Sequence, residues 1–166
     1  MFSDCEVIGT DLCPIQDIWV PPNVKLYVLL HFGLLYIFTD LISISEIEDC
    51  TEPWTFASES FDYVHMRLLY GSIANWSDLY DEAYRVTKPG GWIESMEASP
   101  MGHSDDGSLG PDTAIGQWGD FYKETGEKTG RTFLVIEQDI QRKECERLGL
   151  EDIQVVSYRV CLIVYV

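Results

Sequence analysis

A few side chains in this sequence could hold or work on a small polar ligand: Asp11, Asp49, His65, Arg67 and Glu97. Each falls where a short β-type run stops. Asp11 ends EVIGTD, and a carboxylate there can accept hydrogen bonds from both hydroxyls of a ribose. Asp49 sits in IEDCTE, just past a strand end. His65 and Arg67 close FDYVHMR, and Glu97 closes WIESMEA. Alone, each is a solvated strand-end residue. In an open α/β sheet, however, ligands lie beyond the carboxyl ends of the strands, so several such groups in succession point to a site. No catalytic base stands out; His65 and Glu97 are the candidates for such work, and each reads first as a positional residue.

The elements that must position these groups alternate in type. EVIGTD reads as a strand and CPIQDIWVPPN as a Pro-rich connection. Residues 60–67, SFDYVHMR, read as another strand. A helix is expected over 75–88, with Asn75 as N-cap, Asp78 in its positive first turn, and Arg85 and Lys88 near its negative end. Leu79, Ala83 and Val86 share one face at i, i+4, i+7 spacing. Pro89 cannot continue the helix, and Gly90 and Gly91 suit a tight reversal into the strand beginning at Trp92. A turn-rich loop follows, SPMGHSDDGSLGPD. A helix is expected over 111–128, with Ile115, Trp118 and Tyr122 on one stripe, and another over 138–148 that stops at Gly149. EDIQVVSYRV closes as a strand. This order predicts an α/β fold with a mainly parallel sheet and helices on its faces.

The totals fit one domain. The chain has 166 residues, 46% of them hydrophobic, which suits a single globular core. Its 28 acidic against 11 basic residues give a formal charge of −17, a poor match for a phosphate backbone. No direct nucleic-acid partner is therefore expected. The cysteines, Cys5, Cys13, Cys50, Cys145 and Cys161, are scattered without metal-ligand spacing and read as thiols of a reducing compartment. No metal site is expected. The start of the chain lacks the flank and core of a signal peptide.

Two look-alikes fall away. TGEKTGRT has its glycines too close together for a phosphate loop, and Arg131 stands where the lysine belongs. SDDGS lacks the alternating ligands of a calcium loop and reads as a turn. The run over 26–45 is nearly all apolar and long enough to span a bilayer, but Asp40 and the lack of flanking basic clusters argue for core or foreign sequence instead.

Taken together, EVIGTDLCPIQ, VPPNVK, IEDCTEPWTF, SFDYVHMRLLYGSI, EAYRVTKPGGWIES and GQWG resemble class I S-adenosylmethionine-dependent methyltransferases. More narrowly, they resemble the fungal LaeA-like regulators of secondary metabolism. The resemblance implies a Rossmann-like domain that moves a methyl group from S-adenosylmethionine to a small-molecule or protein acceptor. It implies that Asp11 holds the cofactor ribose with Leu12 beside the adenine. Asp49 would read the adenine amino group with Cys50 next to it. His65, Met66 and Arg67 would face the methyl group and substrate, and Glu97, at its own strand end, is counted on the substrate side with them. It further suggests regulatory partners of the velvet type and a cytoplasmic or nuclear location.

The pattern also departs from that family. The first strand and its Gly-rich loop have no counterpart, the apolar run at 26–45 is atypical, and so is the tail at 161–166. The expectation is a single partial domain over 1–166, incomplete or misjoined, with impaired methyl transfer. Two other readings stand beside it: a non-catalytic interaction protein of methyltransferase shape, and an NAD-binding dehydrogenase, whose ribose Asp11 would suit equally well.

Overall fold

The computed structural model describes residues 6–11, 24–28 and 49–159. Among the described residues, four strands and three helices follow in the order β1 (Val7–Asp11), β2 (Val24–Val28), β3 (Phe61–Arg67), α1 (Trp76–Val86), β4 (Thr87–Met96), α2 (Ala114–Thr129) and α3 (Ile140–Arg147). β1 and β2 form one two-stranded sheet, and β3 and β4 another. Among the described residues, one compact unit takes in β1, β2, 49–64 and 85–93, and a second takes in 65–84 and 94–159.

Both sheets are parallel. Val7 lies opposite Val24 and Asp11 opposite Val28, which leaves Asp11 at the carboxyl end of its pair. For β3 and β4 the flanking bonds set the direction: Ser60 N donates to Val86 O at one end and Leu68 N to Met96 O at the other. The partners advance together along the chain. Parallel neighbours need a crossover, and α1 lies within it. The expected parallel α/β arrangement is present.

α1 forms where its pattern places it. Asn75 Oδ1 accepts from Ser77 N at 3.1 Å, a cap on the first turn. Leu79, Ala83 and Val86 are all buried, together with Trp76 and Tyr80. Arg85, in the last turn, turns away from the helix. Its guanidinium donates to the carbonyls of Phe56 (2.8 Å) and Trp54 (2.9 Å), pinning the loop before β3.

The corner after α1 differs from expectation. The helix ends at Val86, short of Lys88, because Thr87 already belongs to β4. Pairing with β3 takes the residues that helix propensity alone would keep. Gly90 adopts φ +79°, but Gly91 does not reverse the chain. Gly91 is small for another reason: a Cβ there would stand 2.9 Å from the Asp62 carbonyl.

α2 starts at Ala114 rather than Pro111, since Thr113 is the N-cap and its hydroxyl accepts from Gly116 N at 3.0 Å. Its buried residues are Gly119 and Gly126, while Ile115, Trp118 and Phe121 are exposed. A side chain at Gly119 would collide with Met101 Sδ, so this helix packs by its backbone. α3 starts at Ile140 rather than 138 and stops, as expected, before Gly149, which has φ +71°; Leu150 N reaches back to Cys145 O at 3.0 Å. Gly107, in SDDGS, also has a positive φ, and Ser108 N donates to Asp106 Oδ1, a turn as expected.

The closing strand expected over 151–160 is absent from the described residues 151–159. These residues are exposed throughout, Val155, Val156 and Tyr158 included. β-type residues make a strand only where a partner supplies the ladder. Residues 26–28 of the apolar run lie in β2, and the rest of that run, like 161–166, falls outside the described residues. Among the described residues, no helix is long and apolar enough to cross a membrane.

Candidate active site

In the first unit, Asp11 ends β1 as expected, and Leu12 lies outside the described residues. Asp49 opens the turn that leads to β3. Its Oδ1 accepts from Thr51 N at 2.8 Å and from Thr51 Oγ1 at 2.6 Å, and its carbonyl accepts from Glu52 N. The Cys50 carbonyl accepts from Trp54 Nε1 at 3.3 Å. Asp49 and Cys50 are both half-buried. The short polar turn thus fixes a carboxylate and the residue beside it.

In the second unit, the ends of β3 and β4 carry the remaining candidates. Alternation along β3 buries Val64 and Met66 and exposes Tyr63, His65 and Arg67. Met66 therefore contributes packing beneath the strand, with its side chain away from the face that carries His65 and Arg67. His65 Nδ1 lies 2.7 Å from Glu94 Oε2, across the parallel pair.

Glu97 lies just past β4 and binds backbone. Its Oε1 accepts from Leu69 N at 2.9 Å and its Oε2 from Tyr70 N at 3.1 Å. These bonds hold the corner where β3 ends, at which Leu68 takes φ +53°, a left-handed conformation uncommon for leucine. Burial raises the Glu97 carboxyl above its ordinary value, against the lowering effect of the two N–H donors. Both oxygens are committed to the turn. In this structure Glu97 shapes the strand end.

That shift has a consequence for stability. A carboxyl whose folded value is raised binds its proton more tightly folded than unfolded. Its contribution is fully present below the unfolded value, near 4.5, and is lost as pH rises through the folded one. The stability difference between wild type and Glu97→Gln should therefore move against the wild type as pH climbs from about 4.5. Paired urea titrations across that range check it, and a difference independent of pH would contradict the shift.

Tyr80 is buried, and its hydroxyl has no hydrogen-bond partner among the described residues. Burial raises the phenol far above its ordinary range. Ser95 is held by Gln141 of α3, whose Nε2 donates to its carbonyl and hydroxyl. Glu94 escaped the sequence reading. The signal was available: in WIESM the alternate residues Trp92, Glu94 and Met96 are outward-facing, as His65 is on its own strand.

A family model described as a methyltransferase domain matches residues 3–154. Secondary metabolism regulator LAE1 of Cochliobolus heterostrophus is 30% identical over 161 residues, covering 96% of this chain and 46% of that protein. Methyltransferase pytC of Aspergillus terreus is 31% identical over 126 residues, covering 76% of this chain and 33% of its own length. Protein-methionine methyltransferase laeA of Emericella nidulans is 29% identical over 138 residues, 83% of this chain and 32% of its own. The chain thus spans less than half the length of these curated relatives. No solved structure matches it. The parallel strand pairs and their helices agree with the Rossmann-like fold of that family, and a match over nearly the whole chain favours the methyltransferase family over the dehydrogenase reading. The chain belongs to the methyltransferase-domain family.

Proposed function

We propose that this chain binds S-adenosylmethionine and transfers its methyl group to an acceptor that carries a heteroatom nucleophile. The observation that carries the reading is a carboxylate residue at the carboxyl end of a parallel pair, Asp11, followed by a turn-fixed acid, Asp49. The donor set suits the cofactor. Asp11 supplies the two acceptor oxygens that a ribose diol needs. Asp49 commits only Oδ1 to Thr51, and a carboxylate's second oxygen can accept from an adenine amino group.

When bound, S-adenosylmethionine supplies a methyl group already activated by its sulfonium. What the chain adds is placement and exclusion of water. Asp11 and Asp49 would orient the nucleoside, with Leu12 and Cys50 beside them. On the second unit, His65 and Arg67 would meet the acceptor, while Met66 and Glu97 keep their strand ends in place. A second reading is action through regulatory partners, since the relative LAE1 is named a secondary metabolism regulator.

Calorimetric titration of the chain with S-adenosylmethionine and with NAD tests the proposal. Micromolar binding of the first and none of the second is expected. NAD binding with no binding of the methyl donor would overturn it.

A further inference from the structure

In the first unit, the loop before β3 is held by one side chain. Arg85, in the last turn of α1, donates from Nη1 to the Phe56 carbonyl at 2.8 Å and from Nη2 to the Trp54 carbonyl at 2.9 Å, with Ser58 Oγ 3.5 Å from Nη1. The backbone continues the tie: the Arg85 carbonyl accepts from Glu59 N at 2.9 Å and the Val86 carbonyl from Ser60 N at 2.8 Å. Both loop carbonyls can only accept, and a planar guanidinium offers its N–H groups in a fixed fork, so one side chain spans the two. Lysine brings a single mobile ammonium and cannot hold that spacing.

The hold extends back to Asp49. Trp54, fixed by its carbonyl, donates its indole N–H to the Cys50 carbonyl at 3.3 Å. Cys50 follows Asp49, whose carboxylate and carbonyl shape the turn by accepting from Thr51 and Glu52. Between turn and tryptophan stands Pro53, whose ring fixes its own φ and restricts the backbone of Glu52. Little slack separates the two anchors. A shift of the Trp54 carbonyl is therefore passed to the turn at Asp49 rather than absorbed on the way.

We propose that Arg85 is a positioning residue for nucleoside specificity: by fixing the Trp54 end of the loop, it holds the Asp49 carboxylate where that group separates a 6-amino purine from a 6-oxo purine. The inference rests on the reading of Asp49 as the acid that accepts from the adenine amino group. A carboxylate oxygen held in one place accepts from an amino group and repels a carbonyl oxygen at the same point. One that swings does neither well. No contact between Arg85 and the ligand is involved.

The test begins without ligand. Hydrogen exchange at the Thr51 and Glu52 amides, both of which donate to Asp49, reads how firmly the turn is held. Exchange at both should speed up roughly tenfold in Arg85→Lys and Arg85→Gln. It should stay as it is in Lys88→Gln, which removes only the exposed pair with Asp62 in the same unit. Unchanged exchange in both Arg85 variants overturns the proposal by itself. Calorimetric titration then compares S-adenosylhomocysteine with its 6-oxo counterpart, S-inosylhomocysteine. The ratio of the two affinities is the readout, because a smaller folded fraction weakens both alike. The wild type should favour the amino compound roughly tenfold or more. Asp49→Asn still accepts from Thr51 but puts an amide NH2 where the second oxygen stood, and should abolish the preference. Arg85→Lys and Arg85→Gln should cut it severalfold, lysine the less, and Lys88→Gln should keep it. Full preference in both Arg85 variants, with Asp49→Asn having lost it, overturns the proposal and leaves the reading of Asp49 intact. A wild type that binds neither compound, or both equally, would sink that reading and the specificity role with it. The exchange result separates this failure from a failure of Arg85 to hold the turn.

Discussion

Alanine at Gly71 should lower the stability of the chain by about 2–5 kcal/mol, the sum of a left-handed backbone and an overfilled site. Gly71 has φ +73°, and its N–H donates to Thr132 O at 2.8 Å, so the backbone there is held from both sides. A Cβ would land within the ring carbons of Phe133. That ring cannot simply step back. It packs edge-on to Tyr70, centroids 5.9 Å apart, and against Tyr122 at 4.8 Å. Gly107 makes the control, because it has the same φ and nothing within 4 Å of its Cβ position. Gly107→Ala should cost only the backbone part, about 1–2 kcal/mol. Urea unfolding of both variants at unchanged m-value reads the contrast. Equal losses would mean that the Phe133 ring gives way freely.

Gly71 also shows what a sequence conceals. In LLYGSI the glycine reads as a turn, but nothing marks Phe133, sixty-two residues later, as its neighbour. What could be read depended on period. α1 was legible because Leu79, Ala83 and Val86 recur at the helical repeat and all go inside. The alternating FDYVHMR gave β3 and, with it, the placing of His65 and Arg67 at a strand end. α2 obeys the same rule in reverse: Ile115 and Trp118 look like a core stripe, yet the helix is buried through Gly119 and Gly126. Backbone-to-backbone packing leaves no apolar signal. The closing run EDIQVVSYR failed for a related reason, since β-propensity states a preference but names no partner strand.

The placing of the candidate residues was legible to a similar depth. Strand-end position grouped Asp11, His65, Arg67 and Glu97, and each lies at or near the end of β1, β3 or β4, because that follows from element order alone. Division of labour within the set did not follow. Glu97 and Glu94 are three residues apart, and only cross-strand pairing turns one into the backbone of residues 69–70 and sets the other against His65. In a parallel pair such neighbours are far apart in sequence, so no local spacing could announce them.

Asp11→Ala should cost the chain at least about 100-fold in affinity for S-adenosylmethionine. Hydrogen bonds to a charged group contribute roughly 1.5–3 kcal/mol each, and a ribose diol offers two donors to one carboxylate. Asp11→Asn keeps one acceptor oxygen and turns an amide donor toward the second hydroxyl, so its loss should be intermediate, about tenfold. The position argues that folding will tolerate the change. Asp11 is the last residue of β1, and its pairing with Val28 is made by backbone, which alanine supplies as well. An unchanged thermal midpoint in the absence of ligand checks that point. Calorimetric titration of wild type and both variants then gives the affinities. Graded loss from Asp to Asn to Ala would place the ribose at the end of β1. Equal affinity in all three would move the nucleoside away from Asp11 and leave the turn at Asp49 as the remaining acid to test.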